Sequence, residues 1–128
     1  MTVSGRASDG LSGLARLQRA TNVGFTALAW AFRNEEAFRL EVLGAVVLIP
    51  LALWLGHSGM ERALLAAAIL QVMIVELLNT AVEVVVDRIS IERHALSGLA
   101  KDLGSAAVMI SLLLATVIWA CNLLPRVF

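Results

Sequence analysis

The residues best suited to chemistry are polar side chains in and just after the apolar segment 63–86. They are Glu76, Asn79, Thr80, Glu83 and Asp87. On a helix that turns about 100° per residue, all five project within an arc of roughly 100°, and the stripe is about 16 Å long. An ionisable group in hydrocarbon costs roughly 2.5 to 3.5 kcal/mol, so it is usually functional and faces protein or water. The stripe therefore predicts a functional site.

The same side chains also have a structural interpretation. Carboxyl groups that are protonated or hydrogen-bonded across a helix interface would hold helices together. Asn79 and Thr80 suit that role as well as a functional one. Glu76 and Glu83 favour a functional role, because single amides or hydroxyls join helices at lower cost than two carboxylates.

A second polar cluster comes just before the first long apolar segment. It consists of Asn34, Glu35, Glu36 and Glu41. Carboxylates without histidine or cysteine suit Mg²⁺, which is usually shared with substrate phosphates, so the cluster is compatible with a nucleotide site. The alternative is a solvated patch in which Glu35 and Glu36 pair with Arg33 and Arg39 at helical spacing.

The segment 87–107 contains further side chains that could hold a nucleotide. They are Glu92, His94, Lys101 and Asp102, with Gly98 and Gly104 permitting close approach. The chain contains no GxxxxGK[ST] and no GxGxxG motif, so a nucleotide would not be bound by either of those loops. His94 is equally well explained as an exposed loop histidine.

The elements that must position these groups are membrane helices. The 128 residues are 59% hydrophobic and 16% charged, and the mean hydropathy is +0.85, which argues against a water-soluble domain. Apolar stretches predict spans at about 38–56, 62–86 and 103–124. Pro50 is tolerated as a kink, and Trp54 and Trp119 lie toward segment ends, where indole rings favour the interface. The balance of ten basic and ten acidic residues excludes nucleic acid as a partner.

Basic residues set the predicted orientation, because Lys and Arg are retained on the cytoplasmic side. Eight of the ten lie before the first span or between the second and third, whereas only Arg62 and Arg126 lie on the other side. The N-terminus and the 87–103 loop are therefore predicted to be cytoplasmic. The first ten residues have no apolar h-region, so we expect the spans themselves to direct insertion.

Upstream of the spans, apolar residues recur at helical spacing among arginines. They are Leu14, Leu17, Val23, Phe25, Leu28 and Phe32. This pattern predicts an amphipathic helix over about 12–33, lying on an anionic leaflet, although residues 1–12 could equally be a frayed tail. The three spans and the surface helix are predicted to form a single domain over 1–128. One chain of this kind can bury few side chains by itself, so oligomerisation would supply the missing packing surface. Cys121 cannot form an internal disulfide.

Two stretches together resemble the small prokaryotic integral-membrane diacylglycerol kinases. They are VELLNTAVEVVVDRISIERHALSGLAKDLGSAAV, at Val75 to Val108, and RNEEAFRLE, at Arg33 to Glu41. The resemblance covers about residues 14–124 with the same three-span layout. Its motifs are specific because they occur together, in order and at the expected distance.

This resemblance implies an all-α, homotrimeric membrane bundle with three transmembrane helices and an amphipathic surface helix per subunit. Active sites would be shared between subunits at the cytoplasmic face of the bacterial inner membrane. The implied reaction is ATP-dependent phosphorylation of diacylglycerol to phosphatidic acid, with Mg²⁺ as cofactor. The partners are then ATP, the membrane lipid and further copies of the chain.

The resemblance also implies a role for individual residues. Glu76 matches the general base, with Asn79 beside it, and Glu35 and Glu83 match the metal ligands. The positions that match nucleotide contacts are Arg16, Glu35, Glu83, Glu92, His94, Gly98, Lys101 and Asp102. Lys101 is also assigned to the catalytic set, Asp87 to a supporting role and Ser105 to a place near the reacting groups. Val23, Gly24 and the absence of tyrosine depart from the family pattern on the surface helix.

Two other functions compete with this interpretation. A polyprenol kinase of the same architecture would phosphorylate a lipid such as undecaprenol, and the sequence does not fix the shape of the lipid groove. A noncatalytic subunit of an ion pathway would use Glu76 and Glu83 as a relay, but that function leaves the 87–107 segment and the Glu35 cluster unexplained.

Overall fold

The computed structural model describes residues 13–89 and 95–127, with side chains to residue 126. The chain divides into two compact units, Met1–Glu35 and Glu36–Phe128. In the first unit, α1 covers Gly13–Asn34. Leu14, Leu17 and Phe25 are at least 64% exposed and project from α1 within an arc of about 80°. The helix thus has an exposed apolar stripe, and its placement on a membrane surface stays a prediction.

The second unit consists of three long helices. They are α2 (Glu36–Leu55), α3 (Gly59–Ile89) and α4 (Ala95–Val127). Each is long and apolar enough to cross a membrane, with peak mean hydropathies of 2.0, 1.9 and 2.2. All described elements are helices. The predicted all-α fold with three candidate spans is therefore confirmed.

The helices do not end where the apolar segments end. Both ends of α3 extend beyond 62–86, and α4 begins at Ala95 rather than near residue 103. Gly98, Lys101 and Asp102 thus lie on α4, whereas the sequence analysis placed them in a loop. The physical reason is that helix continuity needs backbone hydrogen bonds and not apolar side chains, so a helix can continue past the last apolar residue.

Three side-chain contacts join α3 and α4 in antiparallel register. Asp87 pairs with Lys101, Gln71 Nε2 donates to the Ser111 carbonyl at 2.8 Å, and Trp119 Nε1 donates to the Leu65 carbonyl at 3.1 Å. The two helices run antiparallel, because the α3 partner moves from residue 65 to 71 to 87 while the α4 partner moves from 119 to 111 to 101. Trp119 was predicted from its position alone to lie at the membrane–water interface. In the structure its indole N–H donates to α3.

A polar cluster fixes the opposite end of the unit, where α2 turns into α3. Glu61 accepts the backbone N–H of His57 at 2.7 Å and forms an ion pair with Arg126. Arg126 also donates to the Leu55 carbonyl at 2.7 Å, and Arg62 donates to the Leu53 carbonyl at 3.1 Å. These arginines satisfy carbonyls that the last turn of α2 cannot pair internally. The cluster therefore ties the C-terminal part of α4 to the α2–α3 turn.

We expect Arg126→Gln to lower the denaturation temperature of the purified protein by a few degrees, because the variant loses the ion pair and weakens the bond to Leu55. Thermal denaturation followed by circular dichroism in detergent measures the effect. Glu61→Gln should do the same, and the double variant should cost less than the sum of the two single variants. Strictly additive losses would show that the two side chains act independently.

Candidate active site

The buried face of α3 changes character along its length. Its buried residues recur every three or four positions: Leu65, Ala68, Val72, Glu76, Asn79 and Thr80. The first three are apolar and the last three are polar, so the stripe becomes polar toward the α3–α4 end. Since α3 packs against both α2 and α4, these polar groups lie between helices.

Glu76 is the ionisable group that this packing encloses most completely. It is 5% exposed and lies inside the candidate span Gly59–Ile89. A carboxyl group held in such surroundings is suited to exchange a proton with a substrate, because it is removed from competing water. The predicted base is therefore on an inner face of the helices, where its chemistry is sheltered.

Asn79 lies one turn further along α3 and contacts Glu83. Its Nδ2 donates to Glu83 Oε1 at 3.3 Å. Its Oδ1 is buried and has no hydrogen-bond partner among the described residues. A buried acceptor left without a donor costs roughly 1 to 3 kcal/mol. This cost is accepted where α3 packs closely against α4.

Gly104 explains how Asn79 fits beneath α4. A Cβ atom at residue 104 would overlap Asn79 Oδ1 and would lie 3.2 Å from its Cγ. Gly98, by contrast, has open space where its Cβ would be. The sequence analysis gave both glycines the same role, close approach, but of the two only Gly104 has a close neighbour among the described residues.

A cross-helix ion pair lies at the α3–α4 end of the site. Lys101 Nζ is 2.6 Å from Asp87 Oδ1, and both side chains are about half exposed. Such a pair contributes little to stability by itself. It does hold the Lys101 ammonium beside the end of the acidic stripe, which is where a polyphosphate would need a positive charge.

The remaining predicted residues are distributed as follows. Asp102 and Ser105 are exposed on α4. Arg16 is exposed on α1, and Glu35 is half-buried just after α1, its amide donating to the Ala31 carbonyl at 2.8 Å. Glu92 and His94 lie outside the described residues.

The second unit thus holds five of the predicted residues, four of them in one stripe along α3 and the fifth on α4, paired with the last residue of that stripe. They are Glu76, Asn79, Glu83, Asp87 and Lys101. Arg16 and Glu35 belong to the first unit.

Two residues matter more in the structure than in the sequence analysis. Glu41 was grouped with the acidic cluster and given no role, yet its Oε2 is buried without a hydrogen-bond partner among the described residues. Ser111, which was not singled out, is 3% exposed and receives the cross-helix bond from Gln71. Glu41 ends the motif RNEEAFRLE and Ser111 belongs to no motif, but the burial of both depends on which helix packs over them.

The chemistry of the acidic stripe fits a hard cation. Within the described ranges 13–89 and 95–127, no three or more His, Cys, Asp or Glu side chains cluster closely enough to hold a metal by themselves. Mg²⁺ does not need such a cage, because it usually takes one or two carboxylates and the substrate phosphates. Glu83 is a donor of the right kind, and Asn79 Nδ2 donates to one of its carboxylate oxygens.

These features describe an integral-membrane protein with a buried carboxylate on a spanning helix and a lysine ammonium at the far end of the same acidic stripe. That is the class of site that a membrane-embedded phosphotransferase requires. Residues 22–123 match the family of prokaryotic diacylglycerol kinases. The chain belongs to that family.

Curated relatives named diacylglycerol kinase are similar over most of the chain. The relative from Pseudomonas aeruginosa is 52% identical over 90% of this chain and 94% of its own length. Those from Haemophilus influenzae and Escherichia coli are 49% and 43% identical, over 84% and 91% of this chain and 92% and 95% of their own lengths. The predicted family and the predicted class of enzyme, a diacylglycerol kinase, are thereby confirmed.

Proposed function

We propose that the chain transfers the γ-phosphate of ATP to the free hydroxyl of diacylglycerol, with Glu76 as the general base. The observation that carries this proposal is the burial of Glu76 inside a span, one helical turn before Asn79 and two before Glu83. Membership of the prokaryotic diacylglycerol kinase family supports the choice of reaction. The names of the relatives support diacylglycerol as the acceptor.

The reaction needs a general base, correct positioning of the two substrates and neutralisation of the charge on the phosphates. Glu76 accepts the proton of the lipid hydroxyl. The hydroxyl oxygen bonds to the γ-phosphorus, and the bond between that phosphorus and the β-phosphate oxygen breaks to release ADP. General-base catalysis contributes typically about 10² to 10⁴-fold, and the rest comes from positioning and from neutralising charge on the phosphates. Because the hydroxyl of a diacylglycerol lies at the membrane interface, a base on a spanning helix can reach it without extracting the lipid.

Charge neutralisation is assigned to Mg²⁺ and to Lys101. Glu83 and Glu35 are the proposed ligands, and Asn79 Nδ2 orients the Glu83 carboxylate by its hydrogen bond. When bound, the metal would neutralise negative charge on the phosphates and so reduce their repulsion of the incoming hydroxyl. The proposed nucleotide contacts are Arg16, Glu92, His94, Gly98, Lys101 and Asp102. Asp87 holds Lys101 by their ion pair. Ser105 is proposed to lie near the reacting groups.

We expect Glu83→Gln to raise the Mg²⁺ concentration that gives half-maximal activity by roughly 10 to 100-fold. The amide keeps the size of the side chain but loses the charge. Glu35→Gln should act in the same direction. Titrating Mg²⁺ at saturating ATP and lipid measures the change, and Glu36→Gln is the control, because Glu36 is an exposed carboxylate at the start of α2 that has no assigned ligand role. Equal Mg²⁺ dependence of Glu83→Gln and Glu36→Gln would remove Glu83 from the metal site.

A homotrimer in the bacterial inner membrane is part of the proposal, with the N-terminus and the α3–α4 connection in the cytoplasm. Its support is the small share of each span that one chain buries, 17%, 28% and 6% of the most apolar windows. The exposed apolar stripe of α1 likewise supports a helix lying on the membrane surface. Cross-linking in detergent should give a species of three chains, and a monomer with full activity would contradict shared sites.

Purified protein in mixed micelles with ATP, Mg²⁺ and diacylglycerol tests the activity itself. We expect phosphatidic acid and ADP to form in equal amounts. ADP formation without phosphorylated lipid would contradict the proposal, because phosphate would then be passing to water.

A further inference from the structure

Gln71 places an amide near the middle of the candidate span Gly59–Ile89. An amide in hydrocarbon is costly unless its N–H groups are hydrogen-bonded. Here Gln71 Nε2 donates to the Ala68 carbonyl of its own helix at 3.1 Å and to the Ser111 carbonyl of α4 at 2.8 Å. The first bond fixes the direction in which the side chain extends, and the second joins α3 to α4.

The acceptor on α4 is the backbone carbonyl of a small, buried residue. Ser111 is 3% exposed, and its own hydroxyl donates to the Val108 carbonyl at 2.7 Å. The hydroxyl is thus paired within α4, while the carbonyl receives the amide of Gln71. Because the position is buried, a larger side chain there would crowd the packing around it. The contact therefore depends on a small residue at 111 but not on its hydroxyl.

The Gln71 contact and the Asn79 contact lie on either side of Glu76. Gln71 comes five residues before Glu76, about 7.5 Å along α3, and Asn79 comes three residues after it, about 4.5 Å. Asn79 Oδ1 packs against Gly104 of α4, so closely that a Cβ atom there would overlap it. The stretch of α3 that carries the buried carboxyl group is therefore held against α4 at both ends.

Two further cross-helix contacts lie farther from Glu76. The Leu65 carbonyl, which accepts the Trp119 indole N–H, is eleven residues before it, about 16 Å along the helix. Asp87, which pairs with Lys101, is eleven residues after it. These contacts join the same two helices, but they constrain α3 less directly at the level of the carboxyl group.

We propose that Gln71 is a positioning residue for phosphoryl transfer. Its bond to the Ser111 carbonyl sets the separation of α3 and α4 beside Glu76, and so sets where that carboxylate meets the lipid hydroxyl. A hydrogen bond suits this task because it is directional. Apolar side chains in a membrane associate only through packing, so an apolar residue at 71 would leave the helices freer to slide and turn. This inference rests on the proposed function, in which Glu76 is the base.

Gln71→Met tests this role, because methionine has a similar length but no N–H donor. A displacement of about 1 Å can cost about 10²-fold in rate, so a shift of roughly a quarter to a half of that size should lower kcat roughly three- to tenfold. KM for ATP should stay unchanged, because the Asn79–Gly104 contact lies between residue 71 and Lys101. Initial rates are measured at saturating lipid and at a temperature at which both proteins are folded.

Trp119→Phe is the matched control. It also removes one N–H bond between α3 and α4, so it should lower the denaturation temperature as Gln71→Met does. It should leave kcat unchanged, because the lost bond lies farther from Glu76. Ser111→Ala should likewise leave kcat unchanged, because the acceptor is the carbonyl and not the hydroxyl. Equal losses of kcat in Gln71→Met and Trp119→Phe would overturn the proposal, since they would show that any bond between the two helices matters equally.

Ser111→Val disturbs the same contact from α4 and serves as the second variant if Gln71→Met does not assemble. The added bulk crowds a buried position and should lower kcat while KM for ATP stays unchanged. In the double variant the loss should be smaller than the product of the two single losses, because both changes act on one contact. Full kcat in Ser111→Val, or losses that multiply completely, would overturn the proposal.

Wild-type formation of phosphatidic acid is measured first, because it separates this inference from the proposed function. Its absence would contradict the proposed function itself. An active wild type together with an equally active Gln71→Met would overturn only the role of Gln71.

Discussion

We expect Glu76→Gln to lower the rate of lipid phosphorylation by at least about 10²-fold and to leave the helices assembled. The glutamine amide fills the same buried position, where the native side chain is 5% exposed, so packing is kept. It cannot accept the proton of the lipid hydroxyl. Because general-base catalysis is worth about 10² to 10⁴-fold, kcat should fall by at least about 10²-fold.

The measurement is the initial rate of phosphatidic acid formation in mixed micelles. Circular dichroism and the oligomeric mass of the variant should match those of the wild type, and KM for ATP should be unchanged, since the lost interaction belongs to the transition state. Glu36→Gln, which neutralises an exposed carboxylate, is the control and should be fully active. Near-full activity of Glu76→Gln would remove Glu76 from the role of base.

Gly104→Ala should reduce kcat by about 10²-fold, since a displacement of about 1 Å can cost that much. The added methyl group would overlap the amide oxygen of Asn79. Asn79 would have to turn away or α4 would have to move outward, and either change loosens the hydrogen bond that orients Glu83. Overpacking of this kind also destabilises a protein by roughly 1 to 3 kcal/mol, so activity is compared at a temperature at which both proteins are folded.

A double-mutant cycle separates this mechanism from general damage to α4. Asn79→Ala removes the side chain that the new methyl group would meet, so Gly104→Ala should cost little further activity in that background. Gly59→Ala is the matched control, because a Cβ there meets nothing within 4 Å. Equal losses from Gly104→Ala with and without Asn79 would show that the glycine matters for some other reason.

Features that depend on a single helix could be predicted from the sequence. The polar stripe of α3 follows from spacing alone, because residues three and four apart share a face. The three spans follow from length and hydropathy. The predicted start of α4 was wrong. Residues 95–102 were assigned to a loop, but they belong to α4, because helix formation does not require an apolar sequence.

Features that depend on two helices could not be predicted. Gly98 and Gly104 look equivalent in the sequence, and only the packing of α3 against α4 places Asn79 over one of them. Glu41 was grouped with the acidic cluster before the first span, and only the packing of the helices shows that its Oε2 is buried. Registers between helices are set by the summed packing of many side chains, which no motif records.

The most direct test of the account is transfer of ³²P from γ-labelled ATP to lipid by the purified protein, with diacylglycerol and undecaprenol in parallel micelles containing Mg²⁺. We predict strong labelling of diacylglycerol by the wild type and at least about 10²-fold slower labelling by Glu76→Gln. Preferential labelling of undecaprenol would contradict the proposed substrate while keeping the chemistry. Absence of label from both lipids would contradict the kinase itself and favour a role for the buried glutamates in an ion pathway.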